Sequence, residues 1–176
     1  MRRTAIPIAG VATVISLLVV LAGCAAQPTT SSSNSQETAI ADPAQVRTDL
    51  YKQLDKAQAL LGGAWDNADD PSPMECTAGS SSGVTFTGNR GSNDVVAEEM
   101  RAQVASLWEG MGFTTRMKDD VAPYRLVIAT SPSDPENTLT FGLSDNAMYL
   151  EGQGACGAGD ISEWVDIVNK ELAAKD

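Results

Sequence analysis

The side chains able to do chemistry in this 176-residue sequence are few and restricted in type: three Cys, 23 Asp plus Glu, 12 Lys plus Arg, and no His. Without His there is no Ser-His-Asp or Cys-His catalysis, no imidazole general base and no His-bearing zinc site. Asp66, Asp69 and Asp70 cluster beside Trp65 and near Glu75. Oxygen ligands at that density suit Ca²⁺, but the spacing departs from an EF-hand loop and no Gly stands at its sharp turn. A solvated acidic turn is therefore expected, with Trp65, Asp66, Asp69 and Asp70 as the positions for contact with a partner or a cation. Asp119-Asp120, ahead of Val121-Ala122-Pro123, reads the same way. Gly152-Gln153-Gly154-Ala155-Cys156-Gly157 matches GxGxxG in form. A dinucleotide fold needs a further parallel strand with an acidic residue about 20 positions on, which the sequence to Asp176 does not supply. The expectation is a flexible Gly-rich loop that lets Cys156 reach a partner. No metal, no cofactor and no enzymatic activity are expected.

The three cysteines divide by context. Met1-Arg2-Arg3 is followed by an uncharged, largely apolar run from Ala5 to Ala22 and then by Gly23-Cys24. A basic start, an apolar stretch and small residues at the cut are the order of a secretory signal. Leu21-Ala22-Gly23-Cys24 resembles the bacterial lipobox, which implies cleavage before Cys24 and a diacylglyceryl group on its thiol. Two acyl chains make a lasting anchor, at about 0.8 kcal/mol per buried methylene. Cys76 and Cys156 then form an even pair outside the cytoplasm, and a structural disulfide is expected. By chain entropy it would contribute about 4 kcal/mol. The net charge of −11 argues against nucleic acid as a partner, since a phosphate backbone wants a basic face. Removing Arg2 and Arg3 with the signal leaves 10 basic residues against 23 acidic ones, a charge of −13.

The elements that must position these residues are legible from periodicity. Residues 1–23 are the signal, and 24–41 are an acylated Cys and a Ser/Thr-rich stretch without aromatic residues, expected as a flexible tether. Residues 42–176 are expected as a single domain. Asp42-Pro43 with Gln45 starts a helix. Val46, Leu50, Leu54, Ala57 and Leu61 give it one apolar stripe, and Gly62-Gly63 ends it. A second helix is expected over 93–111, with Val96, Met100, Val104, Leu107 and Met111 inward. A third opens at Asp160 and turns Ile161, Trp164, Val165, Val168 and Leu172 to the core. Strand patterns occupy 84–87, 113–117, 124–130, 139–143 and 148–151. The order predicts an α+β two-layer domain: an antiparallel meander with three helices packed mainly on one face.

Trp65, Asp69-Asp70-Pro71, Pro73 and Cys76, followed by Gly112-Phe113-Thr114-Thr115, the Tyr124 strand and the segment from Met148 to Cys156, resemble the mycobacterial LppA-type lipoproteins over most of residues 45–157. The resemblance implies an exported α/β protein of the actinobacterial cell envelope, and it brings no catalytic residue with it. The functional expectation is a non-catalytic, lipid-anchored protein on the extracytoplasmic face of the cell membrane. It would be held there through Cys24 and serve as an acidic, disulfide-bonded interaction or accessory module for an envelope protein. The alternative is a lipoprotein that binds a small or cationic molecule.

Overall fold

Asp42 starts the first helix as a side-chain cap. Its backbone is extended, its carboxylate accepts the Ala44 N–H at 3.1 Å, and Pro43 occupies the first helical position. The computed structural model of the chain describes residues 41–175 apart from Gly79. The signal, Cys24 and nearly all of the Ser/Thr-rich stretch lie outside the described residues. Helix α1 (Pro43–Leu61) buries Val46, Leu50, Leu54, Ala57 and Leu61, the stripe that the four-four-three-four spacing predicts. Its cap differs in one detail. Gln45 turns forward to donate to Asp49 at 2.7 Å instead of reaching back to the Asp42 N–H. Gly62, at φ 67°, ends the helix and donates its N–H to the Gln58 carbonyl.

Among the described residues nine strands follow, all paired antiparallel: β1 (Asp66–Asn67), β2 (Met74–Ala78), β3 (Ser81–Thr85), β4 (Thr87–Ser92), β5 (Thr114–Val121), β6 (Tyr124–Thr130), β7 (Thr138–Leu143), β8 (Met148–Gln153) and β9 (Gly157–Ala158). One sheet has the order β1-β4-β8-β7-β6-β5 and the other β2-β3-β9. The meander β5–β8 is the one expected, and β4 and β1 extend it. Only Phe86 separates β3 from β4, and Gly154 donates to the Phe86 carbonyl at 2.9 Å. The two sheets therefore share one bent ribbon. The strand expected over 84–87 divides at Phe86 between β3 and β4, and the strands that sequence reading omits, β1, β2, most of β4 and β9, carry little or no apolar alternation.

Helix α2 (Met100–Glu109) is shorter than the 93–111 expected. The reason is local: Asp94 accepts the Ala64 N–H at 2.7 Å, and Ser92 donates to the Ala64 carbonyl at 2.7 Å. Residues 92–94 are thus fastened to the exit of α1 and cannot enter a helix. The buried face of α2 is Arg101, Val104, Ala105 and Trp108, not the predicted stripe, of which Val104 alone is fully buried. Asp119-Asp120, expected as a turn, belongs to the long edge strand β5, where the register with β6 shifts between Lys118 and Val121. Helix α3 (Ile161–Ala173) is capped by Asp160 as expected, yet only Trp164 and Val168 are buried. Val165 and Leu172 stay exposed, at 41% and 44%. Arg47 packs against the buried side of this helix. It pairs with Glu171 at 2.9 Å and lies over the rings of Phe86 and Trp164, which meet edge to face at 5.7 Å. No helix among the described residues is long and apolar enough to cross a membrane.

Helices α1 and α2 cover one face of the six-stranded sheet, α1 over β4 and β8 and α2 over β5, β6 and β7, while α3 rests on β3. Paired glycines on β4 and β8, Gly88 and Gly152, lie beneath α1. A Cβ on Gly88 would sit 2.5 Å from Leu54 Cδ1, and one on Gly152 2.8 Å from Leu50 Cδ1. Gly154 meets Val46 in the same way, at 2.9 Å. The GxGxxG match is therefore no loose loop. Its glycines let a helix pack low on a sheet, and Gly152 is itself within β8.

Cys76 on β2 and Cys156, in the short connection from β8 to β9, form a disulfide with Cα atoms 5.8 Å apart. The bond passes over β3 at Gly83, where a Cβ would lie 2.7 Å from Cys156 Sγ and would also meet the Gly157 carbonyl. It ties the two outer strands of the small sheet across the middle one. Replacing Cys76 or Cys156 by Ser should lower stability by about 2–4 kcal/mol. A thermal melt that does not move on reduction or substitution would refute the pairing. Gly152→Ala should cost about 1–3 kcal/mol through overpacking against Leu50, read as a lower denaturant midpoint at unchanged slope.

Candidate functional site

The four acidic-turn positions singled out in the sequence separate in space. Asp69 points inward and accepts two parallel bonds from Arg90, from Nε at 3.2 Å and Nη2 at 2.8 Å. Arg90 occupies an inward position of β4, between buried Gly88 and Ser92, and its side chain is only 2% exposed. Its Nη1 donates to Asp55 at 2.6 Å and to Gln58 at 2.9 Å, both one turn apart on α1. Burial opposes the charge on Arg90, and the bonds to Asp69 and Asp55 outweigh it, so the guanidinium is held more firmly protonated than usual. A two-pronged carboxylate–guanidinium fit of this kind fixes orientation as well as charge. Asp69 is thus a structural partner of the sheet.

Asp70 is likewise engaged. It accepts the Ser72 N–H at 2.9 Å, and that bond, with the Ser72 side chain, holds its carboxyl below the usual range. Tyr51 donates to the Asp70 carbonyl at 3.2 Å, which ties the loop to α1. Burial, reinforced by the nearby Asp69, pushes the Tyr51 phenol up to about 12. Asp69 is thus turned to Arg90, while Asp70 keeps an exposed carboxylate that accepts one backbone bond. Among the described residues no three Cys, Asp or Glu side chains converge to hold a metal.

Trp65 and Asp66 remain together. They border an open concavity of about 510 Å³, which also takes in Asn93, Tyr124 and Tyr149. Trp65 is fixed by its indole N–H, which donates to the Gly62 carbonyl at 2.7 Å. Asp66 is exposed on the edge strand β1, opposite Gly91. Tyr124 and Tyr149 project from neighbouring regions of β6 and β8 and meet edge to face, with centroids 4.9 Å apart and planes at 87°. The Tyr149 ring lies over Gly142, where any Cβ would collide with it. Burial, with Glu151 and Tyr124 nearby, raises the Tyr149 phenol above its ordinary range, so it stays neutral. This volume falls in the range of small-molecule sites, about 300–1,000 Å³, although the mouth is wide. The site lies just beyond Gly62, at the end of α1 opposite to Asp42. Nineteen helical residues put about 28 Å between these ends.

Sequence reading found Trp65 and Asp66 but missed Tyr124 and Tyr149, which it assigned to strands without a surface role. It also missed both buried arginines. Arg101, on the inward face of α2, donates to Asp119 at 2.6 Å and to the Leu126 carbonyl at 3.0 Å, and also binds Glu98. The available signal was phase: Arg90 falls in step with buried Gly88 and Ser92, and Arg101 is three, four and seven residues before Val104, Ala105 and Trp108.

No known family's sequence profile matches the chain, and no curated protein matches it. Among solved structures, a DUF4853 family protein from Actinomyces odontolyticus is similar, with a TM-score of 0.51 over 67% of each chain and 12% sequence identity. That likeness is one of fold, and it agrees with the α+β architecture described above.

Asp69→Asn should destabilise the protein by about 2–3 kcal/mol, because it leaves a buried guanidinium half-paired. Asp55→Asn should cost less than about 1 kcal/mol, since the Asp55 side chain is 63% exposed against 19% for Asp69. Equal losses in chemical denaturation would refute the inward role of Asp69. Millimolar Ca²⁺ should leave the thermal melt unmoved, and a rise in melting temperature would restore the acidic turn as a cation site.

Proposed function

We propose that this chain is a non-catalytic, lipid-anchored module of the cell envelope, akin to the LppA-type lipoproteins, that offers a binding face to an extracytoplasmic partner. The lipobox-like Leu21-Ala22-Gly23-Cys24 supports the anchor. The disulfide between Cys76 and Cys156 is in keeping with an oxidising compartment. The observation that carries the reading is placement. The described chain enters the domain at Asp42, beside β9, where Ala158 donates to the Ala41 carbonyl at 2.9 Å. The Trp65 concavity opens at the other end of α1. A domain tethered from the first end leaves the second free to face away from the bilayer.

The acidic charge fits an accessory role on a surface, since it keeps the domain soluble and off anionic headgroups while leaving the aromatic face available. Intact-mass measurement of membrane-extracted protein should give a chain beginning at a diacylated Cys24. Cys24→Ser should shift the protein from the membrane to the soluble fraction. Recovery of an uncleaved or unmodified chain from the wild-type membrane would overturn the anchor.

A further inference from the structure

The residues around the Trp65 concavity have a composition that the acidity of the chain does not by itself explain. Trp65, Tyr124 and Tyr149 are three aromatic residues of its lining, Asp66 is the ionisable carboxylate there, and among the described residues no Lys or Arg lines the space. Two basic residues adjoin the lining in sequence: Arg90 is turned inward to Asp69 and Asp55, and Arg125 is drawn off to Glu98 and Asp145, at 3.2 and 3.3 Å. Of the five arginines among the described residues, 47, 90, 101 and 125 sit against carboxylates elsewhere, and Arg116 is exposed on the edge strand β5. Aromatic faces carry negative charge density and attract an alkylated ammonium group within about 6 Å of a ring centroid. A weakly hydrated cation loses little on entering such a corner, and an exposed carboxylate at the rim adds attraction without the cost of burying its own charge.

We propose that this concavity binds a small organic cation carrying an alkylammonium group, with Trp65, Tyr124 and Tyr149 as its walls and Asp66 as its counter-charge. The inference rests on the reading of the chain as a binding module and names the ligand class for that module's exposed end. Volume and charge both select the occupant. A concavity of about 510 Å³ suits a small molecule better than a folded partner. An anionic ligand would meet Asp66 and a domain with no free cation on this wall.

Trp65 also provides the readout. Trp108 is fully buried and Trp164 is 9% exposed, so ligand-dependent emission reports chiefly on Trp65. Full-length protein in a neutral maltoside detergent should show a saturable fluorescence change with choline chloride, at a Kd of about 1 mM. Its uncharged isostere 3,3-dimethylbutan-1-ol should bind about 10-fold more weakly. Asp66→Asn, at an exposed position that leaves the fold intact, should weaken choline about 3-fold, and Tyr149→Ala should weaken it about 10-fold. Trp65→Phe should remove the signal. Equal binding of choline and the neutral isostere, or no saturable response to choline in the wild-type protein, overturns the proposal. A photo-crosslinker at Asn93 separates the two levels of inference. Specific adducts in the native envelope without choline binding would leave the module standing and refute the cation. Failure of both would refute the module as well.

Discussion

Helix α1 sits unusually low on its sheet, and most of the molecule is arranged around that approach. Gly88 and Gly152, paired across β4 and β8, and Gly154 just beyond, give Leu54, Leu50 and Val46 room to reach the backbone. Close packing of this kind is rigid: a single added methyl has nowhere to go. The short distance between helix and sheet also brings Asp55 and Gln58 within reach of Arg90 on β4. A long, inward-facing guanidinium is tolerable there because carboxylates and an amide meet it without water in between. Asp69 completes the set from the loop after α1 and so fixes where that loop runs. Trp65 and Asp66 lie in the same stretch of chain. The open face at the end of α1 therefore inherits its shape from glycines and an arginine that never touch it.

The disulfide belongs to the same scheme at the opposite end. The ribbon that bends at Phe86 and Gly154 carries the chain from the large sheet into the small one, and the bend needs Gly154 for α1 to pass. Beyond it, Cys156 and Cys76 close over Gly83 and hold β2, which lies at the edge of its sheet. Thr85 adds a buried bond to the Gly154 carbonyl at 2.7 Å. The small sheet has few apolar side chains of its own beyond Val84. A covalent link offsets that shortage, since it removes conformational freedom from the unfolded chain rather than adding burial to the folded one.

The legible parts of the sequence were those with strong local signals. Asp42-Pro43, the α1 stripe, Gly62 and Asp160 each act through neighbours within one turn, so local chemistry sufficed for them. The strands β6, β7 and β8 were legible because burial on one face enforces alternation. What escaped depends on contacts far apart in the chain. Nothing within 93–99 shows that Asp94 will be held by the Ala64 N–H, so a helical pattern there misleads. The stripe on α3 reads as core, yet only Trp164 and Val168 of it are buried, with Arg47, more than a hundred residues away, packed beside Trp164 and Phe86. The glycines at 152–157 look like freedom and prove to be close contact, because their partners are on α1. Trp65 and Asp66 were legible as site candidates by type. Tyr124 and Tyr149 were not, since only the sheet register brings them together.

Charge allocation links these observations to the open face. On composition alone, a chain with nearly twice as many acids as bases spreads negative potential evenly. Instead, Arg47, Arg90, Arg101 and Arg125 are each committed to carboxylates, and two of these, Arg90 and Arg101, are buried. Cations used this way neutralise structural acids and contribute little to the outer field. The excess is left on solvent-facing Asp and Glu, where salt screens it within about 8 Å at physiological ionic strength. At the Trp65 face that screening matters less than the local inventory of groups: Asp66 is close, the aromatic rings are neutral, and no basic side chain offsets them. Asp66 lines the concavity, and the Asp94 carboxylate lies just behind it on the Ala64 N–H. The same internal use of arginine that stabilises the fold thus leaves the lining of this concavity, among the described residues, without a basic side chain.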